Sequence, residues 1–379
     1  MTTVIIATQQ WTSWPEYGGS TWVPIQYLIG LGRLGVTAIW VDHLSRVDPA
    51  SDAHGVEYLM ERFESTAKGL GFQGRFCIIY DGGRSFFGLD QDELAESTAA
   101  ADLLLALSGR GLDRESPLLR IPSRAYVDMD PGYTQSWTRQ VDMGLDQFNV
   151  FFTVGVNVGR PDFILPTPGI DWRPIVPPVV LDLWPPHIDE ASQRFSTVAD
   201  WRARQYLKFD GKDYGGKRDE FLRFIKVPLE AQQPIEVALT IWPIDHRELG
   251  LLNRNNWLTR NPYQYAGDPF SYREFIQHSR AEFSVAKSGY VRSNAGWVSD
   301  RSGCYLASGK PVIVQSTGFE GRLPTGKGLL TFQSRKEAVA AIRSVNEDYL
   351  AHAQGAREIA EQHFDSDKVL ASMLAQAGL

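Results

Sequence analysis

Residues 296–332 read GWVSDRSGCYLASGKPVIVQSTGFEGRLPTGKGLLTF, and the order of their parts decides the fold. Ser299, Asp300 and Ser302 are residue types that cap helix starts, and DRSGCYLASG suffices for a short helix. PVIVQST follows as a β-branched apolar run, the mark of a buried strand. Two glycine-bearing turns then lead to GLLTF. Such a helix start offers free N–H groups and the positive end of a dipole to an anion. Ser302 has a hydroxyl to donate to a phosphate, and Arg301 or Lys287 could neutralise its charge. The same residues also read as an ordinary capped helix of an α/β crossover, with Asp300 simply as cap.

Moving outward, the first 44 residues repeat this grammar. TVIIAT reads as a buried strand, QQWTSWPEYGGST as a loop with Pro15 and the pair Gly18-Gly19, and TWVPIQYLIGLGRLG as a helix stopping at Gly35. VTAIWVDHL is a second strand, so the chain opens a parallel sheet. Strand and helix patterns alternate up to FNVFFTVGVN. Residues 158–188 are dense in proline, which excludes helix over most of them. We read them as a semi-rigid connection carrying one strand, PVVLDL. The second half resumes with RFSTVADW, KRDEFLRFIKVP (a helix ended by Pro228), IEVALTIWP, NNWLTRNP, SYREFIQHS and AEFSVAKSGYV. SRKEAVAAIRSVNEDYLAHAQGAREIAEQHF reads as one long helical stretch, and DSDKVLASMLAQAGL as a last helix. The expected fold class is α/β, with two Rossmann-like domains over 1–175 and 176–350. Helices over 351–379 are expected to pack back toward the first domain.

Composition narrows the function. The chain has 379 residues, 43% of them hydrophobic and 22% charged, enough apolar mass for two cores. A net charge of −7 argues against bulk electrostatic capture of nucleic acid. Two cysteines, Cys77 and Cys304, fall in segments read as buried, so no disulfide framework is expected and a reducing, cytoplasmic setting fits. No run of eighteen apolar residues is present, so no membrane span is expected. Scattered histidines show no ligand spacing, so no metal site is signalled, and neither a dinucleotide fingerprint nor a P-loop occurs.

The stretch GWVSDRSGCYLASGKPVIVQSTGFEGRLPTGKGLLTFQSRKEAVAAI resembles the donor segment of nucleotide-sugar glycosyltransferases with the two-Rossmann (GT-B) fold, of the family 4 and family 1 type. The matching pieces are Ser308-Gly309-Lys310-Pro311-Val312, Gly328-Leu329-Leu330 and Glu337-Ala338-Val339-Ala340-Ala341-Ile342. The opening GGSTWVPIQYLIGLGRLG, followed by VTAIWV, is similar too. Many retaining members carry two glutamates where this chain has Gly296 and Cys304. The His-x-Gly-Trp motif of many inverting members appears as Asn294-Ala295-Gly296-Trp297. The resemblance therefore leaves donor and stereochemistry open.

What the resemblance implies is sugar transfer from a nucleotide-diphosphate donor to a hydroxyl, with parallel sheets facing across a cleft. The leaving diphosphate would be stabilised by N–H donors and cations, with no metal and no cofactor beyond the donor itself. Donor contacts are expected from Ser299, Asp300, Arg301, Ser302 and Lys287, with Arg260 on base or diphosphate, and with Gly18 and Gly19 allowing close approach. An inverting transfer needs a base, for which Asp130 is the first choice, ahead of Asp128, Asp81 and Glu16. Trp11, Trp14 and Glu16 are expected at the acceptor, a small molecule, a glycan or a modified base. Trp22 joins the two tryptophans in flanking the glycine loop, and core packing is the competing reading for all three. Two alternatives stand beside this one. One is a non-catalytic binding protein that kept the fold. The other is a DNA-base glycosyltransferase, which would need a basic groove from Arg110, Arg114, Arg120 and Arg124.

Overall fold

The computed structural model describes residues 2–44, 55–109, 112–167, 169–202, 206–209 and 211–379. Two sheets organise them. The first holds β1 (Thr3–Thr8), β2 (Thr37–His43), β3 (Phe76–Tyr80), β4 (Ser85–Gly88), β5 (Leu103–Leu107), β6 (Ser123–Asp128), β7 (Val150–Thr153) and β8 (Trp172–Pro174). Their order is β4-β3-β2-β1-β5-β6-β7-β8, and only β4 runs antiparallel. The second domain starts with β9 (Phe195–Asp200) and a small hairpin of β10 (Leu207–Phe209) with β11 (Lys212–Tyr214). It continues through β12 (Ile235–Thr240), β13 (Trp257–Arg260), β14 (Ala281–Ser284), β15 (Val312–Gln315) and β16 (Leu329–Phe332). That sheet is wholly parallel, in the order β13-β12-β9-β14-β15-β16.

Each sheet is built outward from its first strand in both directions. β2 and β3 lie on one side of β1, and β5 to β7 on the other; β12 and β13 lie on one side of β9, and β14 to β16 on the other. The chain reverses its building direction beside β1 and beside β9, and that reversal opens a crevice at the carboxyl ends of the strands. The strands read as continuous apolar runs because both faces are covered. β5 (LLLAL) is buried at every position, as is β15 (VIVQ).

Several local readings need correction. Residues 178–183 form no strand. Val179 makes a single bridge, to Asp365, and Leu181–Leu183 is one turn of 3-10 helix. Gly18 and Gly19 are not loop residues but open the helix Gly18–Arg33. Pro228 does not end a helix; it sits in the first turn of a separate one, Val227–Glu230, where its missing N–H costs nothing. The long helical stretch is broken at Asp348, which leaves helical geometry to cap Tyr349–Ile359. A π-helical turn, Ala360–Phe364, follows it.

The last helix, Ser366–Gln376, returns to the first domain and packs on Gly18–Arg33. Gly30 makes that approach possible, since a Cβ there would stand 2.5 Å from Leu370 Cδ1. Near the crossing, Val179 N donates to Phe364 O at 2.7 Å and Ser366 N to Val179 O at 2.9 Å. A second tie joins the domains directly: Val156 N donates to Gly296 O and Asn157 N to Ala295 O, each at 3.3 Å. An apolar seam runs beneath, where Trp22 and Trp184 meet at 4.8 Å, both buried. Burying a large apolar side chain of this kind stabilises by roughly 1.5–3 kcal/mol.

Candidate active site in the interdomain cleft

The carboxyl ends of the strands converge on one cleft of about 390 Å³. β6 leads to Met129 and Asp130 on one wall; β9 ends in Val198, Ala199 and Asp200 on the other. The loop after β14 brings Lys287 and Tyr290, and the helix Asp300–Ala307 begins at its floor.

The cations of the cleft come from the second domain. Arg301 is buried and fully engaged from below: Nε donates to Glu282 Oε1 at 2.6 Å, Nη1 to Val198 O at 2.8 Å and Nη2 to Ser284 Oγ at 2.8 Å. Lys217 stands beside it, buried, its Nζ 3.5 Å from the same Ser284 Oγ. Burial, then the Arg301 charge, push the Lys217 ammonium well below its ordinary pKa. An anion arriving here would meet a lysine whose charge is costly until it is paired. Arg202 also lines the cleft, but Asp245 holds it through bonds of 2.6 and 2.8 Å.

From the first domain comes Asp130. Asp130 Oδ1 accepts from Lys287 Nζ at 2.8 Å and from Tyr290 OH at 2.6 Å, both across the domain boundary. Asp128, two residues earlier, lies outside the cleft and fully buried. It accepts from Thr134 Oγ1 at 2.6 Å, Thr153 Oγ1 at 2.9 Å, Gln135 Nε2 at 3.0 Å and Asp130 N at 3.0 Å. Burial pushes its carboxyl up to about 6. Its partners are all groups that shape the turn, so it holds Asp130 in place without facing the cleft.

The remaining candidates divide. Gly19, Trp14, Glu16, Ser299 and Asp300 line the cleft. Ser299 Oγ caps its helix by accepting from Arg301 N at 3.2 Å, and burial raises the pKa of Asp300. Ser302 lies behind them at a pocket of about 10 Å³, its buried Oγ without a partner among the described residues. Gly18 serves the domain contact, for a Cβ would stand 2.2 Å from Asp268 O. Trp11 is core, 4.6 Å from the Phe63 ring, and its N–H donates to Asp42. Arg260 lines an adjoining cavity of about 500 Å³ with Trp242 and Tyr263, and its Nη2 donates to Glu236 at 3.3 Å. That cavity shares Tyr17, Asp200, Arg202, Thr240 and Pro262 with the cleft, so the two are continuous. Of the arginines considered for a basic groove, Arg114 pairs with Asp142 and Asp146, and Arg124 donates to the carbonyls of Gln147 and Ile121. Arg120 lines a separate cavity of the first domain, and Arg110 lies outside the described residues. Asp81 lies in a turn at the end of β3, bound to Arg84, and does not line the cleft.

Residues 235–376 match a family model described as glycosyl transferase-like. No curated protein sequence matches the chain. Among solved structures, an alpha-glucosyltransferase in complex with UDP superposes with a TM-score of 0.65, at 11% identity over 100% of both chains. Alr3699/HepE of Anabaena, in complex with UDP and glucose, gives 0.56 at 13% identity over 99% of this chain and 100% of that one. AviGT4, a glycosyltransferase involved in avilamycin A biosynthesis, gives 0.57 at 11% identity over 100% and 97%. This is a GT-B glycosyltransferase fold.

Cys304, standing where many retaining members carry a glutamate, is buried against the first domain, with Gln26 Nε2 3.9 Å from its sulfur. Lys217 escaped the sequence reading because the β10–β11 hairpin separates it from β9. The signal was present in Gly215-Gly216-Lys217, a basic residue after paired glycines at a helix start. Tyr290, near the end of the segment AEFSVAKSGYV, opens toward Asp130 from the short helix Ser288–Ser293. Among the described residues no helix is long and apolar enough to cross a membrane.

Proposed function

We propose that the chain transfers a sugar from a nucleoside-diphosphate donor held by its second domain to a hydroxyl acceptor held by its first, without a metal ion. The observation that carries this is the meeting of Asp130 with Lys217, Lys287 and Arg301 at the carboxyl ends of two doubly wound sheets. The diphosphate would lie over Lys217 and the start of the helix Asp300–Ala307, with Arg301 supporting from beneath. The base would enter the adjoining cavity between Arg260, Tyr263 and Trp242. In a direct displacement the acceptor oxygen attacks the anomeric carbon as its bond to the diphosphate oxygen breaks. The acceptor proton passes to Asp130, and the cations meet the charge that gathers on the diphosphate. Trp14 and Glu16 would face the acceptor.

Structural neighbours hold UDP, so UDP and UDP-glucose are the first molecules to test. UDP, GDP and other nucleoside diphosphates should be screened for a rise in Tm, followed by hydrolysis assays on the matching sugar nucleotides. A shift with at least one nucleoside diphosphate, present with a chelator, is expected. No shift with any of them at millimolar concentration would end the reading. One of the neighbours is crystallised with DNA as well as UDP. A nucleic-acid acceptor is less well supported here, because Arg114 and Arg124 are spent on internal contacts and the net charge is −7.

A further inference from the structure

The proposed base and one of the proposed donor cations neutralise each other across the cleft. Lys287 Nζ lies 2.8 Å from Asp130 Oδ1, with only 32% and 21% of the two side chains exposed. Tyr290 OH donates to the same oxygen at 2.6 Å. The Tyr290 ring is held by Trp297, stacked at 4.4 Å with an interplanar angle of 26°. Lys287 Nζ also sits 5.2 Å from the ring centres of Tyr133 and Tyr290, so aromatic faces steady it in this position. Burial, with Asp130 nearby, keeps the Tyr290 phenol protonated and therefore a donor. A carboxylate that accepts two such bonds is a poor base, since both lower its proton affinity.

We propose that the Asp130–Lys287 contact is a latch that the donor opens, exposing the base only when donor is bound. The inference rests on the reading given under Proposed function. Lys287 and Lys217 line the same cleft, where a single diphosphate would face both. A diphosphate seated on Lys217 draws Lys287 toward itself. Asp130 then loses its cation and gains the basicity that proton abstraction requires. With the cleft empty the base stays covered and the lysine is engaged, so part of the donor's binding energy is spent on parting the pair.

The competition is measurable without knowing the acceptor. UDP, or whichever nucleoside diphosphate the screen selects, is titrated by calorimetry into wild type, Asp130→Asn, Lys287→Met and the double variant, each checked for its melting transition. Freeing Lys287 by Asp130→Asn should tighten binding about tenfold, the scale of one hydrogen bond to a charged group. Lys287→Met should weaken it, and Asp130→Asn should have no further effect in the Lys287→Met background. Lys287→Gln replaces Lys287→Met if the latter does not fold. Equal tightening with and without Lys287 would mean simple removal of a negative charge, and would overturn the latch while leaving the donor site standing. Unchanged or weaker binding by Asp130→Asn would overturn it too. If none of the four proteins binds any nucleoside diphosphate, the donor reading falls and the latch falls with it.

Discussion

Arg301 Nε donates to Glu282 Oε1 at 2.6 Å, and neither side chain reaches bulk solvent to any useful degree. Glu282 comes from the middle of β14 and Arg301 from the first turn of a helix, so the pair welds the cleft floor to the sheet. Removing one member of a buried pair strands the other charge, at a cost of about 3–5 kcal/mol. Glu282→Gln should therefore lower the urea midpoint of the second domain sharply. Arg301→Lys should not rescue it, because an ammonium cannot reach Glu282, Val198 O and Ser284 in one plane.

Lys217 predicts a pH signature. Its folded pKa is below the ordinary value, so the unfolded chain binds the extra proton and stability rises with pH until the ordinary lysine range is passed. Nucleoside-diphosphate affinity should run the other way, weakening as pH rises and the ammonium is lost. Lys217→Met should weaken binding at every pH, flatten that dependence, and leave stability unchanged or improved. Calorimetry and urea melts across the pH range measure both.

Asp42 supplies a second pH test, away from the cleft. It is fully buried at the end of β2 and accepts from Thr12 Oγ1 at 2.5 Å, with Trp11 N and Trp40 Nε1 each at 3.3 Å. Burial pushes its carboxyl up to about 7 from an ordinary value of 3.8. The native state then holds the proton more tightly than the unfolded chain between those values. Stability should fall as pH rises through that window, by at most about 1.4 kcal/mol per pH unit for one group. Urea midpoints at pH 5 and pH 8 should differ in that sense, and Asp42→Asn should shrink the difference to the part that Asp128, whose carboxyl burial also raises, contributes.

Gly18 predicts a steric effect on both stability and ligand. An added Cβ would stand 2.2 Å from Asp268 O and 2.8 Å from Tyr272 Cβ, both in the second domain. Backbone must move to admit it, which costs roughly 1–3 kcal/mol. Gly18→Ala should lower the Tm and also weaken UDP, because it pushes apart the walls that form the donor site. An unchanged UDP affinity would show that the contact serves folding alone.

The parallel architecture was legible because strands covered on both faces must be continuously apolar, and TVIIAT, LLLAL and PVIVQ all are. Ser299 was also readable as a helix cap, and Asp130 and Lys287 as cleft residues, since those two follow strand ends by two and three residues. Other roles depend on contacts between distant parts of the chain. Arg301 looks like a free phosphate ligand until Glu282, nineteen positions earlier, is brought beneath it. Trp11 looks like an acceptor platform until Phe63 covers it, and Gly18 like a ligand loop until Asp268 arrives. Lys217 failed to stand out because a hairpin inserted after β9 displaces it along the sequence but not in space.

The Val179–Asp365 bridge has a mechanical consequence. The polypeptide passes between the lobes once after β8 and again near the π-helical turn Ala360–Phe364, and the two passages are bonded to each other at this bridge. Two strands fastened side by side act as a single pivot. A swing of the lobes about that line would part the ties between them, Val156 with Gly296, Asp130 with Lys287 and Gly18 with Asp268.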